Sequence, residues 1–343
     1  MNEGSRKIRL HKRRDASFDE KRPSVLAVGT FDGLHLGHRA LLEKTKEIAT
    51  DRGLNSAVLT FEPHPMEVLA EAKSGDLRLS PPREKMDLLL GEKLDALALV
   101  QFSSKIQSMD AETFAREYFL GCLNAEVVCV GYNFHFGVGG VAGVHRLRDI
   151  GGDLGFSVEA LEAVEYEGRP VSSSRIREEL SQGRVDLVHS LLGRPYQLKG
   201  SIVRGEGRGR KLGFPTANLS VEGKGKLLPA FGVYLARVDS ELSLASSDLA
   251  LVSIGLSPTF GPRDLPRVEV FIPDFDAQEE LYGCAMGVSL LEWIRPELCF
   301  PSVKELLARM KEDLAYLYER AEDFRPKNRN SQEERINNER SLY

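Results

Sequence analysis

Residues 25–49, VLAVGTFDGLHLGHRALLEKTKEIA, read as strand, tight turn and helix in immediate succession, and this order limits the folds open to the chain. Val25–Val28 is an apolar run of strand length, and Gly29-Thr30-Phe31-Asp32-Gly33 is the turn. Leu41, Leu42, Thr45, Ile48 and Ala49 then recur at intervals of three and four, with Gly53 placed to stop a helix. The helix start carries His35-Leu36-Gly37-His38. A helix N-terminus offers unpaired N–H groups and the positive end of the dipole, so it favours phosphate. Two imidazoles there can donate hydrogen bonds to phosphoryl oxygens, and Gly37 lets a phosphate chain approach the backbone closely. The same residues would also suit a surface helix start with two solvated histidines. Strand, turn and helix falling in register favour the phosphate site.

Further along, Ser56–Phe61 reads as a second strand and completes a βαβ start. It runs into Glu62-Pro63-His64-Pro65, whose prolines predict an extended, rigid loop at the strand's carboxyl end, where an open parallel sheet binds ligands. Leu94–Val100 and Glu126–Val130 are further strands, separated by a helix over Ala111–Leu120 with Asp110 as its N-cap. Strands alternating with helices predict a doubly wound α/β sheet. The turn after Val130 is aromatic where a loop is normally polar: Asn133, Phe134 and Phe136 either form a lid on the core or a platform for a flat ring, with the Asn133 amide on the ring edge. Val171–Leu180 then opens a helix with Ser172, Ser173 and Ser174. Any one serine suits an N-cap. Arg175 and Arg177 in the first turn would cost stability unless an anion sits there, which predicts a second phosphate clamp. A helix over Val185–Leu192 ends at Gly193.

From Tyr196 the pattern changes to short strand-like runs, Tyr196–Val203, Val233–Val238, Leu249–Ile254, Val268–Ile272 and Met286–Trp293, with Pro and Gly between them and no helices. This predicts an antiparallel barrel. One amphipathic helix, Val303–Tyr318, follows, expected to plug or pack on it. Between the first two runs lie Gly205, Gly207, Arg208, Gly209, Arg210 and Lys211, a flexible cationic loop fit to wrap phosphates. It is neither a Walker A loop nor GxGxxG, and a mobile surface loop fits it as well. Thr216 and Asn218 follow on one side of an extended segment, a hydroxyl and an amide oxygen of the hard type suited to Mg²⁺. All seven histidines precede Leu191, so a base for phosphoryl transfer in this half must be a carboxylate, Cys or Lys. Glu269, inside the strand run Arg267–Ile272, is one candidate; an outward-facing strand residue is the alternative.

Composition narrows the class. The 343 residues suit two domains, and 42% apolar with 28% charged residues is ordinary for a soluble globular protein. A net charge of −5 gives no bulk affinity for nucleic acid, and no apolar run approaches the roughly 18 residues of a membrane span. Cys122, Cys129, Cys284 and Cys299 form no CxxC pair and are expected as buried free thiols in a reducing cytoplasm. The first 22 residues hold eight Lys/Arg against four Asp/Glu with no apolar h-region, so a disordered basic tail is expected there rather than a secretory signal. Residues 324–343, rich in Asn, Glu and Arg, are expected to be a second disordered tail.

Taken together these motifs resemble the prokaryotic bifunctional riboflavin kinase/FAD synthetase family over about Ser24 to Asp323. Gly29–His38 is similar to its GNFDGxHxGH signature, with Thr30 where Asn is usual. Phe61–Pro65 matches the FEPHP loop, Gly131–Gly137 the GxxFxFG turn, and Val171–Arg177 the SSTxxR motif with Ser174 for Thr. Gly207–Asn218 matches GRxLGFPTAN, Ser253–Phe260 the NIGxxPTF stretch with Ser253 for Asn, and Val268-Glu269 the strand with the kinase base. Leu281-Tyr282-Gly283 and Ile294-Arg295-Pro296-Glu297 match later segments. The family also usually carries a basic residue after FxFG, and Val138–Gly143 has none.

The resemblance implies an FMN adenylyltransferase domain over 23–190, of the HxGH nucleotidyltransferase type, and a riboflavin kinase domain over 191–323. Riboflavin and ATP would give FMN, and FMN with a second ATP would give FAD and pyrophosphate. His35, His38, Arg177 and Glu269 would be catalytic. Gly29, Thr30, Phe31, Asp32, Gly37, Ser172, Ser173, Ser174, Gly207, Arg208, Gly209, Arg210 and Lys211 would bind ATP phosphates. Pro63, His64, Pro65, Asn133, Phe134 and Phe136 would seat the flavin, and Thr216 and Asn218 would hold Mg²⁺. A different HxGH transferase with an appended barrel leaves everything after Tyr196 unexplained. A non-enzymatic flavin-binding protein would not need His35, His38, Thr216, Asn218 and Glu269 together.

Overall fold

Val25–Val28 is apolar at every position because alternate residues of its strand enter different cores. Leu26 and Val28 pack with Phe114, Phe119 and Leu147 on one side, while Val25 and Ala27 pack with Leu41, Leu42 and Ala49 on the other. Burial on both faces is what a central strand of a parallel sheet requires. The sheet comprises β1 (Ile8–Lys12), β2 (Ser24–Val28), β3 (Asn55–Glu62), β4 (Ala96–Gln101), β5 (Ala125–Gly131) and β6 (Ser157–Leu161), in the order β1-β4-β3-β2-β5-β6. The strands β2 to β6 are mutually parallel, and β1 joins β4 antiparallel at the edge. The chain goes from β2 outward to β3 and β4, then returns to β5 on the other side of β2. The reversal leaves a crevice between the carboxyl ends of β2 and β5, the topological switch point at which such sheets bind ligands.

This computed structural model describes residues 8–12, 19, 21–69, 78–205, 207–223, 225–239, 248–256, 266–273 and 282–324. Its chain divides into two compact units. The first is Met1–Tyr196 with Glu222–Pro229, the second Gln197–Val221 with Ala230–Tyr343. Two expectations change here. The basic N-terminal stretch is not wholly a tail, since Ile8–Lys12 is a strand of the sheet. Its backbone pairs with β4 while Arg9, Leu10 and His11 stay exposed, so composition gave no sign of it. The division also falls after Tyr196 rather than at residue 190, and a later segment returns to the first unit. Tyr196 is 2 % exposed, its hydroxyl donates to the Leu227 carbonyl at 2.8 Å, and the Lys226 ammonium lies 4.2 Å over its ring. Lys226 itself donates to Leu79 O and to Glu84 Oε2, both at 2.8 Å. A chain ending at 190 would lack all of these partners.

After the small hairpin β7 (Glu165–Tyr166) and β8 (Arg169–Pro170), the second unit builds a closed barrel from β9 (Tyr196–Val203), β10 (Thr216–Val221), β11 (Gly232–Asp239), β12 (Leu249–Gly255), β13 (Arg267–Phe271) and β14 (Ala285–Pro296). Its order is β10-β13-β12-β11-β14-β9, every described pairing antiparallel. Five of these strands fall on the apolar runs of the sequence, and β10 falls on the segment expected only as extended: its TANLSV alternates as a strand should, but its buried apolar residues, Ala217 and Leu219, are few. Along β11 and β12, Tyr234, Ala236, Ala250 and Val252 are fully buried. The opposite face of the same strands, Val233, Leu235, Leu249 and Leu251, packs with Leu317 and Leu314 of the helix Val303–Arg320. The helix therefore covers the barrel's outside and does not plug it. Of the second expected tail only its first residue, Phe324, is described, its carbonyl accepting from Arg237; residues 325–343 lie outside the described residues. Among the described residues no helix is long and apolar enough to cross a membrane.

Candidate active sites

A cavity of about 630 Å³ opens at the switch point of the first unit. Its walls come from the end of β2 and the turn after it (Gly29, Thr30, Phe31), the helix start (His35, Gly37, His38), the turn after β5 (Asn133, Phe134, Phe136) and Ser172, Ser173 and Ser174. Four motifs far apart in sequence thus line one cavity, because each follows the carboxyl end of a strand or opens a helix there.

The turn into the helix is left-handed at Phe31 (φ 52°), Gly33 (φ 82°) and Leu34 (φ 40°). Two non-glycine residues in that region cost about 1–2 kcal/mol each. Burial offsets this: Phe31 is 0 % and Leu34 1 % exposed. The turn delivers His35 to the N-cap of the helix Leu36–Arg52, where its Nδ1 accepts from the His38 backbone N–H at 3.3 Å. An accepting Nδ1 leaves the neutral ring's proton on Nε2, so His35 remains a donor. The His38 ring stacks on it at 3.6 Å and 16°, and His38 Nδ1 is buried with no partner among the described residues.

Burial, then the charges of Arg194 and Arg177, lower the His35 pKa to about 4; burial and then His35 hold His38 well below its ordinary value. Both rings are therefore neutral at pH 7 and act as N–H donors, not as cations. The unfolded chain protonates His35 near 6.5 and the folded protein only near 4. Between those values the unfolded state binds protons that the folded state refuses, so stability is intact above 6.5 and falls as pH drops toward 4, by about 3 kcal/mol for this residue. The expected result is a melting temperature that declines more steeply from pH 6.5 to 4 in the native protein than in His35→Asn, which keeps an N-cap side chain. Parallel curves would show that His35 is not held neutral.

Several expected phosphate ligands serve the scaffold instead. Asp32 is 2 % exposed; its carboxylate accepts from the backbone N–H groups of Leu79 (3.2 Å) and Ser80 (2.9 Å) and pairs with Arg177. A carboxylate so engaged is a brace for the turn. Ser172 is the N-cap of the helix Ser173–Ser181, accepting from Arg175 N–H at 3.2 Å, and Ser173 donates to the Asp32 carbonyl at 2.9 Å. Ser174 is exposed at the cavity wall. The two arginines do not form a clamp: Arg175 is 6 % exposed and donates to the carbonyls of Tyr166 (2.9 Å) and Arg169 (2.8 Å). Arg177, held by Asp32, does not line the cavity.

The proline loop also differs from expectation. Pro65 begins a short helix, Pro65–Leu69, and only Pro65 of the three loop residues lines the cavity. His64 is 8 % exposed, its Nδ1 accepting from Met66 N–H at 3.2 Å, and burial is the main cause of its lowered pKa. Behind it, Arg78 makes a two-pronged pair with Glu62 (2.9 and 2.7 Å) and a second pair with Glu67. Of the aromatic turn, Phe136 belongs to the core against Phe114 and Phe119, while Phe134 stacks on it at 5.3 Å. Phe136 seals the core, as a lid would, and the half-buried Phe134 lines the cavity beside it. Asn133 is exposed at the rim.

In the second unit, the register of β10, β13 and β12 puts Asn218 opposite Glu269 and Ser253 on Glu269's other side. Thr216, two residues before Asn218, donates to Glu269 Oε2 at 3.4 Å. A hydroxyl, an amide and a carboxylate thus share one face, and Glu269 is half-buried between buried Val268 and Val270. The glycine loop packs onto that face. A Cβ at Gly205 would come within 2.1 Å of Asn218 Nδ2, and one at Gly209 within 2.3 Å of Phe214 O. Close approach is what these glycines permit. Gly207 has φ 65° and precedes the short helix Arg208–Lys211, where Arg210 is exposed. The side chains of Arg208 and Lys211, residues 257–260 and Leu281 lie outside the described residues. All four cysteines are free, with Cys129 buried, Cys122 and Cys284 half-buried and Cys299 exposed, so burial holds fully for one of them. Among the described residues, no three His, Cys, Asp or Glu side chains cluster as metal ligands.

A doubly wound sheet with an HxGH helix start at its switch point, followed by a closed barrel with a Thr-x-Asn strand beside a strand glutamate, defines a nucleotidyltransferase fused to a phosphotransferase. Comparison with known proteins gives the same division: the FAD synthetase family matches residues 17–175 and the riboflavin kinase family residues 192–320. Bifunctional riboflavin kinase/FMN adenylyltransferases of Listeria monocytogenes and Escherichia coli are each 34% identical over 84% of this chain and 90% of theirs. That of Bacillus subtilis is 33% identical over 86% and 92%. A solved structure described as a macrolide-efflux protein from Streptococcus pneumoniae superposes with a TM-score of 0.76 at 30% identity, covering 90% of this chain and 96% of that one. The chain belongs to the bifunctional riboflavin kinase/FMN adenylyltransferase family.

Proposed function

We propose that the chain makes FAD from riboflavin in two steps, phosphorylation to FMN in the barrel unit and adenylylation of FMN in the α/β unit. The observation that carries this reading is the cavity at the switch point, with the stacked His35 and His38 at the phosphate-binding helix start and Phe134 as an aromatic wall. In the first step the ribityl 5′-hydroxyl attacks the γ-phosphorus of ATP, Glu269 takes its proton, and ADP leaves. The glycine loop with Arg208, Arg210 and Lys211 would wrap the phosphates. Thr216 and Asn218 offer hard oxygens on one strand face, a donor set that fits Mg²⁺ together with phosphate oxygens and water. When bound there, Mg²⁺ supplies charge neutralisation on the triphosphate.

In the second step an oxygen of the FMN phosphate attacks the α-phosphorus of a second ATP and pyrophosphate leaves. The attacking group is already an anion, so no base is needed. Alignment and hydrogen bonds to the developing charge lower the barrier. His35 and His38 donate as neutral rings, the helix N-terminus adds its N–H groups, and Gly29, Thr30 and Gly37 leave room for the phosphates. Ser174, exposed at the cavity wall, is the serine of the three that would add a further donor. Phe134, Asn133 and Pro65 would seat the isoalloxazine. Free cysteines and the absence of nucleic-acid character in the charge support a cytoplasmic enzyme acting on small molecules. Incubation with riboflavin, ATP and Mg²⁺, followed by separation of the flavins, should show FMN first and FAD later. FMN alone, with no FAD even from supplied FMN, would remove the adenylyltransferase half of this reading.

A further inference from the structure

The turn that presents His35 is held from two sides, and one of those holds comes from an unexpected part of the chain. On one side the Asp32 carboxylate is fixed by the Leu79 and Ser80 N–H groups. On the other, the Arg194 guanidinium donates from Nη2 to the Gly33 carbonyl at 2.8 Å and from Nη1 to the Leu34 carbonyl at 3.2 Å. These carbonyls belong to left-handed residues, outside regular structure, so without Arg194 they would lose their charge-assisted donor. Arg194 is itself placed by Gly193, the left-handed C-cap of the helix Val185–Leu192, and by buried Tyr196. Tyr196 is tied to Leu227 and lies under Lys226, and Lys226 binds the Leu79 carbonyl. The frame closes on itself around the turn. Arg194, Tyr196 and Lys226 all fall within residues 192–320, matched by the riboflavin kinase family, and outside 17–175, matched by the FAD synthetase family.

We propose that Arg194 is a positioning residue for adenylyl transfer, holding the turn that sets His35, so that residues of the kinase-matched stretch complete the FMN adenylylation site. This rests on the assignment of FMN adenylylation to the α/β unit. The charge of Arg194 also acts on His35 directly. With Arg177 it opposes a proton there, while the neutral His38 ring stacks on His35.

The test uses the full-length chain and two variants, Arg194→Met and Arg194→Lys. The expected result for Arg194→Met is a loss of about 10- to 100-fold in kcat for FAD from supplied FMN. KM for FMN and ATP should change little, and FMN formation from riboflavin should be unchanged. The His35 ring, followed by NMR, should titrate at a higher pH than in the native protein. Arg194→Lys keeps the charge but not the fork, so it should lower kcat while leaving the His35 titration low. Native kcat in a folded Arg194→Met, or in a folded Arg194→Lys if the first variant does not fold, would overturn the proposal. So would equal loss of both activities in both variants. If the native chain made no FAD, the functional assignment would fall, whereas FAD synthesis by the native chain that Arg194→Met leaves intact would dismiss the role of Arg194 alone.

Discussion

Glu269→Gln is expected to lower riboflavin kinase turnover by about 10²–10⁴, the usual loss when a general base is removed. The substitution keeps the length of the side chain and its place on β13, between buried Val268 and Val270. The amide oxygen can still accept from Thr216, whose hydroxyl lies 3.4 Å from Glu269 Oε2. What it cannot do is take the proton of the ribityl hydroxyl. Riboflavin binding should therefore weaken far less than turnover. FAD formation from supplied FMN should be unchanged, because its residues belong to the other unit. A carboxylate that merely faces outward from a strand predicts no change in rate and at most about 0.5 kcal/mol of stability. Measuring both activities on the one variant separates these outcomes, and equal loss of both would point to misfolding.

His38→Ala should have the complementary effect. FMN should accumulate from riboflavin while FAD formation falls by about 10²–10³, the loss typical of one donor to developing oxyanion charge. The geometry sharpens this expectation, since burial and His35 keep the His38 ring neutral. Its contribution is a hydrogen bond, so the effect should be the same at pH 6 and pH 8. The variant also removes the ring stacked at 3.6 Å on His35. A rise in KM for ATP with kcat unchanged would mean that His38 contributes only binding common to the ground and transition states. Unchanged FAD synthesis would reduce it to an ordinary half-buried histidine.

The parts of the fold legible in the sequence are those governed by local rules. The all-apolar β2, the N-cap serines and aspartate, the glycine stops and the alternating strands of the barrel follow from periodicity and capping. Asp110 caps its helix by accepting from Thr113 N–H at 2.9 Å, as its position implied. The hidden elements have no local signature. The Ile8–Lys12 strand owes its pairing to the edge of β4. The short β10 alternates weakly, with only Ala217 and Leu219 buried, and the pairing with β9 and β13 on either side makes it a strand of the barrel.

The sequence by itself determined the inventory of chemistry: two histidines at a helix start, an aromatic turn, a glycine loop, Thr216, Asn218 and Glu269, in an order that marks the family. Only the tertiary structure decided which of these line a cavity and which are taken up by other partners. Asp32 and Arg177 satisfy each other, Arg175 is spent on carbonyls, and His64 is turned inward, because a buried charge or polar atom must find a partner whatever its motif suggests. The same rule brought Arg194 and Lys226 to the adenylylation unit. Their partners are backbone carbonyls more than a hundred residues away, at Gly33, Leu34 and Leu79. Carbonyls are present at every position of a chain, so nothing in a sequence distinguishes the ones that will need a cation until the fold has taken them out of regular structure and away from water.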